Sequence, residues 1–244
     1  MAETFQLKFD QIDTDLDYFL LTPEGGETAP LVICLHGLGS HKESLFNTAI
    51  SFCRKGFRTV GMDLARHGRR PGSETREAML DIDYIGTMFG MIQQSVKDVT
   101  RIVDFFGAPR AAVHGISLGG IVIFAGIIGE PRIEVASVAM GSPDWIGLAE
   151  ALGMDPHHPA VDHIARCSPL EQAERMHPCA LLVLHGMDDE IVPFSGVEKL
   201  AAKLEPLYAQ TPRRFEFVAY RDIGHSYVDD MLERSVDWTV KHMQ

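Results

Sequence analysis

The chain has 244 residues, enough to bury a sizeable core in one α/β domain or two small ones. Hydrophobic residues make up 45% and charged residues 23%, the proportions of an ordinary globular protein. The net charge of −12 argues against nucleic acid or an anionic membrane as partner, because both demand a basic footprint.

Phe5, Leu7 and Phe9 alternate with Gln6 and Lys8, and Leu16, Tyr18 and Leu20 alternate again, which predicts an N-terminal hairpin or meander of half-buried strands. Pro23-Glu24-Gly25-Gly26 is a turn. Leu31–Leu35 is continuously apolar, as a strand covered on both faces must be, and it stops at His36-Gly37-Leu38-Gly39. Ser44 to Lys55 reads as a helix closed by Gly56. Phe57 to Leu64 is the next strand, followed by the basic, Gly-containing loop Arg66–Gly72. Glu74 to Gln94 is weakly helical and carries Met79, Leu80, Ile85, Met88, Phe89 and Met91; helical spacing sharpens through Val96, Val99, Ile102, Val103 and Phe106.

Ala111-Ala112-Val113 then leads into Gly115-Ile116-Ser117-Leu118-Gly119 and a charge-free run from Ile121 to Ile128. This reads as strand, sharp turn and buried helix, with a serine at the apex between two glycines. Such a turn projects the hydroxyl into open space and leaves room only for small neighbours, while the helix start supplies free N–H groups suited to an oxyanion. The stretch Ala111–Gly129 lacks charge, but its glycines, His114 and Ser117 fit strand, turn and core helix better than a membrane span.

Val135 to Met140 is a further strand. From Asp144 to His177 periodicity fades, and the segment reads as an insertion over the sheet. Ala180 to Leu184 is a buried strand ending at His185-Gly186, Val197 to Tyr208 a helix, Phe215 to Ala219 a strand and Asp222–His225 a loop. Ser226 to Met243 closes the chain as a helix, with Ser226 and Asp229 at capping-box spacing. Alternating strands and helices imply a mostly parallel sheet covered on both faces. The four cysteines, Cys34, Cys53, Cys167 and Cys179, show no C-x-x-C spacing and read as reduced, mostly buried thiols. With no basic-then-apolar leader, the expected location is cytoplasmic, with no stable membrane insertion.

Five motifs each close a predicted strand: His36–Gly39, Asp63 with His67-Gly68, Gly115–Gly119, Gly186-Met187-Asp188-Asp189-Glu190-Ile191-Val192-Pro193, and Asp222–His225. In this order they resemble the α/β-hydrolase superfamily, and most nearly its small esterase-like branch related to dienelactone hydrolase and prolyl oligopeptidase catalytic domains. The resemblance covers nearly the whole chain. It implies an α/β-hydrolase fold over residues 1–244, a single domain with a small lid or cap insertion at about 144–177.

The resemblance also implies a serine hydrolase. Ser117 would be the nucleophile, His225 the base and Asp189 the acid that orients it, with Asp188 the rival one residue away. His242 also follows the acids, but it sits in a terminal helix. The backbone N–H groups of Leu38 and Leu118 would form an oxyanion hole. His67, Arg69 and Trp145 are candidate substrate-binding residues. Met79, Met88, Phe89, Met91, Trp145, Ile146 and Met154 could line an acyl pocket or could pack beneath the insertion, and the sequence leaves both open. Asp63 reads as structural, and His157, His158, Asp162 and His163 match no standard zinc spacing.

The expected activity is a carboxylesterase on short- or medium-chain acyl esters, without metal or cofactor, acting on a small-molecule ester. Thioester, amide or peptide hydrolysis uses the same machinery, and acyltransferase or cofactor-free haloperoxidase-like activity is a further alternative. A non-catalytic ligand-binding protein on the same fold is the reading from another class. Homo-oligomerisation is left open.

Overall fold

The computed structural model describes residues 4–70, 84–153, 155 and 157–244. Its strands are β1 (Phe5–Ile12), β2 (Leu16–Pro23), β3 (Leu31–Leu35), β4 (Arg58–Met62), β5 (Ala111–Ile116), β6 (Ile133–Ala139), β7 (Ala180–Gly186) and β8 (Phe215–Tyr220). Its α-helices are α1 (Phe46–Arg54), α2 (Tyr84–Phe105), α3 (Leu118–Gly129), α4 (Trp145–Ala151), α5 (Val161–Cys167), α6 (Phe194–Leu204) and α7 (Asp229–Met243). Among the described residues the strands form one sheet in the order β1-β2-β4-β3-β5-β6-β7-β8. β1 and β2 pair antiparallel, as do β2 and β4; every other pairing is parallel. This is an α/β fold of α/β-hydrolase architecture, with helices on both faces.

Burial explains why the sequence folds this way. In β3, Leu31, Ile33 and Leu35 face a core that includes α2, α3 and α6, while Val32 and Cys34 face the core built with α1 and α7. Both faces are covered, so the strand is apolar at every position. Helix α3 has only apolar residues and glycine, and it is buried along most of its length. α7 is amphipathic, with Asp229 and Asp230 in its first turn and Lys241 and His242 in its last, both suited to the helix dipole. No helix among the described residues is long and apolar enough to cross a membrane.

Several local expectations are corrected. The hairpin β1–β2 forms, but Leu7 and Phe9 are each 50% exposed, because β1 is an edge strand whose apolar face is only partly covered. The first helix opens as a 3-10 turn over Lys42–Leu45, and α6 starts at Phe194 and ends at Leu204. Ser226 caps nothing: α7 begins at Asp229 after Val228, and Ser226 is held in the preceding loop by its N–H to the Gly224 carbonyl, 2.9 Å. The 144–177 segment contains α4, α5 and a 3-10 stretch over Pro169–Met176. Met79, Leu80 and Met154 lie outside the described residues. Among the described residues no cysteine is in a disulfide; Cys167 is half-buried and the other three are buried.

Chain order runs from β3 outward to β4 on one side and then to β5 on the other. The sheet's direction of winding therefore reverses between β3 and β5. In open α/β sheets the crevice beyond the carboxyl ends of the strands at such a reversal is where ligands bind.

Candidate active site

Ser117 occupies that crevice at the end of β5. Its backbone sits at φ 55°, ψ −114°, a conformation an L-residue adopts only when its surroundings hold it there. The surroundings do so: Ser117 N–H donates to the Ala139 carbonyl (2.8 Å), and Gly119 N–H donates to the His36 carbonyl (3.1 Å). The glycines at minus two and plus two are required by contact. A Cβ on Gly115 would lie 2.5 Å from the Gly119 carbonyl carbon, and one on Gly119 would lie 2.4 Å from the Leu35 carbonyl oxygen.

His225 follows β8. Its Nε2 lies 2.9 Å from Ser117 Oγ, and its Nδ1 lies 2.7 Å from Asp189 Oδ2. An ionised carboxylate can only accept, so Nδ1 carries the proton and Nε2 is left to accept from the serine hydroxyl. Asp189 is buried and well satisfied. Its Oδ1 accepts from the N–H groups of Ile191 (2.9 Å) and Val192 (2.8 Å), and His185 Nε2 lies 3.3 Å from Oδ2. Burial pushes this carboxyl upward, but hydrogen bonds from His185, His225 and Val192 outweigh it and hold the group well below the usual carboxylate range. Asp188 is exposed, and its backbone N–H serves to tie the acid loop to the Ile223 carbonyl, 3.0 Å. Gly186 allows these loops to touch, since a Cβ there would fall 2.2 Å from the Ile223 oxygen.

The N–H groups of Leu38 and Leu118 have no acceptor among the described residues, and both residues line the cleft containing Ser117 and His225. Leu118 is the first residue of α3, where the helix dipole adds positive potential. The loop bearing Leu38 is stapled to the loop after β4. His36 donates from Nδ1 to the Gly37 carbonyl (2.8 Å) and accepts from Leu64 N–H (3.1 Å). His67 donates from Nδ1 to the Ala65 carbonyl (2.9 Å) and accepts from Gly39 N–H (3.1 Å). Both work only as neutral rings, and burial lowers both, His36 to about 4. Buried Asp63 completes the staple by accepting from Lys42 N–H and Lys42 Nζ, each at 2.7 Å.

The cleft encloses about 780 Å³. Met88 of α2, Ile121 of α3, Leu148 of α4 and Leu152 form an apolar wall; Ser40, His41, Arg66 and His67 form a polar rim. Of the sequence-selected binding residues, only His67 reaches it. Arg69 is exposed and lies outside it. Trp145 is 2% exposed and packs on Phe89 in the core. Arg70 is committed to Asp98 (2.6 Å) and Asp15 (3.3 Å). His185 is a strand-end histidine in the sequence, and its approach to Asp189 Oδ2 is not legible there; the recurrence of His-Gly at three strand ends is the available signal. His114, at the second of these ends, bridges Ser137 Oγ (2.9 Å) and Tyr227 Oη (3.0 Å) beneath the His225 loop.

The parallel sheet, the strained serine turn and the histidine and carboxylate on later strand ends define the α/β-hydrolase class. Within it, the profile of the prolyl oligopeptidase family matches residues 93–244, and the chain belongs to that family. It is an enzyme of the serine-hydrolase type. YitV of Bacillus subtilis (strain 168) is 23% identical over 228 residues, covering 86% of this chain and 88% of its own. Esterase YjfP of Escherichia coli (strain K12) is 23% identical over 189 residues, covering 70% and 74%. The crystal structure of TT1662 from Thermus thermophilus shares the fold with a TM-score of 0.78 and 22% identity, over 98% of this chain and 99% of that one.

Proposed function

We propose that the chain is a carboxylesterase that cleaves short- or medium-chain acyl esters through an acyl-enzyme on Ser117. The observation that carries this reading is the continuous relay from Asp189 Oδ2 through His225 to Ser117 Oγ, at 2.7 and 2.9 Å. Ser117 Oγ attacks the ester carbonyl while its proton passes to His225 Nε2, and Asp189 stabilises the imidazolium. The carbonyl oxygen, now an oxyanion, takes the N–H groups of Leu38 and Leu118. The intermediate collapses as His225 returns the proton to the leaving alcohol. Water, deprotonated by the same nitrogen, then releases the acid and regenerates the serine.

Esters are favoured by the wall of Met88, Ile121, Leu148 and Leu152, which suits a hydrocarbon acyl chain. The relationship to esterase YjfP agrees with it. Residues 1–244 act as a single domain in this account, with the 144–177 segment as a cap; Leu148 and Leu152 from that segment line the cleft. The test is a panel of p-nitrophenyl esters from acetate to laurate, set beside acyl thioesters and peptide p-nitroanilides. The expected result is the highest kcat/KM on a short or medium ester, abolished in Ser117→Ala. Preference for the thioester or anilide, or ester turnover that survives Ser117→Ala, would overturn the proposal.

A further inference from the structure

The cationic groups around the cleft differ in what they are bound to. Lys42 Nζ is paired with Asp63 at 2.7 Å, Arg70 with Asp98 at 2.6 Å, and His41 Nδ1 lies 3.0 Å from Glu43 Oε2. Arg69 is exposed and lies outside the cleft. Arg66 is different. It is half-buried, lines the same cleft as Ser117 and His225, and has no carboxylate partner among the described residues. Its Nε is shut off from solvent yet has no acceptor. A buried guanidinium N–H without an acceptor is costly, so its retention calls for a reason. No aspartate or glutamate is among the described residues that line this cleft. Arg66 also sits at φ 60°, between buried Ala65 and His67, the latter bonded to the oxyanion loop at Gly39. The loop therefore holds the arginine in the wall of the cleft that contains Ser117 and His225, while Lys42, Arg70 and His41 each face a carboxylate.

The structure assigns to Arg66 the recognition of a carboxylate carried by the ester substrate: the preferred substrates are anionic monoesters, with the hydrocarbon part against the Met88–Leu148 wall and the carboxylate on the guanidinium. A planar guanidinium offers two parallel N–H donors matched to a carboxylate, which is why arginine suits this task better than lysine. The inference rests on the esterase reading above and narrows its substrate class.

The test uses two matched pairs with the full-length enzyme. p-Nitrophenyl hydrogen glutarate against p-nitrophenyl valerate places the charge on the acyl side. p-Acetoxybenzoate against its methyl ester places it on the alcohol side. In at least one pair the ratio of kcat/KM, charged over neutral, should fall by about tenfold to a hundredfold in Arg66→Gln, with Arg66→Lys intermediate. The pair that responds identifies the side of the cleft that holds the charge. A ratio unmoved in both pairs overturns the assignment while leaving Ser117-dependent turnover, and hence the esterase reading, intact. Binding supplies the converse control. Monoethyl glutarate titrated into Ser117→Ala should bind more tightly than diethyl glutarate, and the difference should vanish in Ser117→Ala/Arg66→Gln. If that difference is present but no ester is turned over, the carboxylate site stands and the esterase reading falls. If it is absent, the carboxylate site falls.

Discussion

Replacing Asp189 by asparagine changes one atom, and the structure dictates the consequence. Oδ1 of Asp189 accepts two backbone N–H groups, from Ile191 at 2.9 Å and Val192 at 2.8 Å. The asparagine carbonyl oxygen must stay there, or two backbone donors, one of them buried, lose their acceptor. Its amide nitrogen then takes the place of Oδ2, 2.7 Å from His225 Nδ1. An NH2 group only donates, so Nδ1 must give up its proton and Nε2 must carry it. Nε2 would now donate to Ser117 Oγ instead of accepting, and the base is lost. The expected fall in kcat is on the order of ten-thousand-fold, about 5 kcal/mol in the barrier. Asp188→Asn alters an exposed side chain and should stay within about threefold of the native rate. The assay is p-nitrophenyl acetate hydrolysis, with circular dichroism and a thermal melt to show that each variant is folded. Native-like turnover in a folded Asp189→Asn, or equal losses at 188 and 189, would refute the reasoning.

Acid should destabilise the protein through its buried histidines. Burial depresses His36 from 6.5 to about 4 and His114 to about 3, so the stability they contribute is full above pH 6.5 and is lost as pH falls through the lower values. For His36 alone the loss is about 3 kcal/mol by pH 4, and a thermal midpoint unchanged between pH 6.5 and pH 4 would contradict this. Gly119→Ala puts a Cβ 2.4 Å from the Leu35 carbonyl oxygen, a backbone atom that cannot swing away. Urea unfolding should show a loss of about 1–3 kcal/mol or more, together with impaired turnover; a variant as stable as the native chain would disprove the contact argument. Arg70→Ala removes one of the two arginines on Asp98, whose side chain is fully buried and keeps Arg101 at 2.8 Å, and should cost about 1–3 kcal/mol, whereas Arg69→Ala should cost less than about 0.5. Comparable effects of the two substitutions on the unfolding midpoint would count against the pairing.

What the sequence revealed follows from which physical forces leave a local trace. Continuous apolar runs such as Leu31–Leu35 and Ala180–Leu184 record burial on both faces, so the inner strands were legible. The glycines around Ser117 record close backbone approach, here to Leu35 and to each other, and that spacing survives in sequence. Tertiary competition leaves no such trace. Ser226 and Asp229 have capping-box spacing, yet the loop is governed by Gly224 and by Tyr227 bound to His114, so the helix starts later. Four arginine and histidine side chains in the loop Arg66–Arg70 look equivalent as letters. Only their partners separate Arg70, bound to Asp98, from Arg66, which faces the cleft unpaired among the described residues. Trp145 reads equally as lid or core, because an aromatic residue's destination depends on what lies opposite it, here Phe89.

The central claim is that Ser117 is made nucleophilic by His225 and Asp189. The most direct measurement is reaction of the folded protein with a fluorophosphonate, followed by intact-mass analysis and peptide mapping. The account predicts a single phosphonyl adduct on Ser117, absent in Ser117→Ala and strongly slowed in His225→Ala. A folded chain that stays unmodified, or an adduct on a different serine, would contradict it.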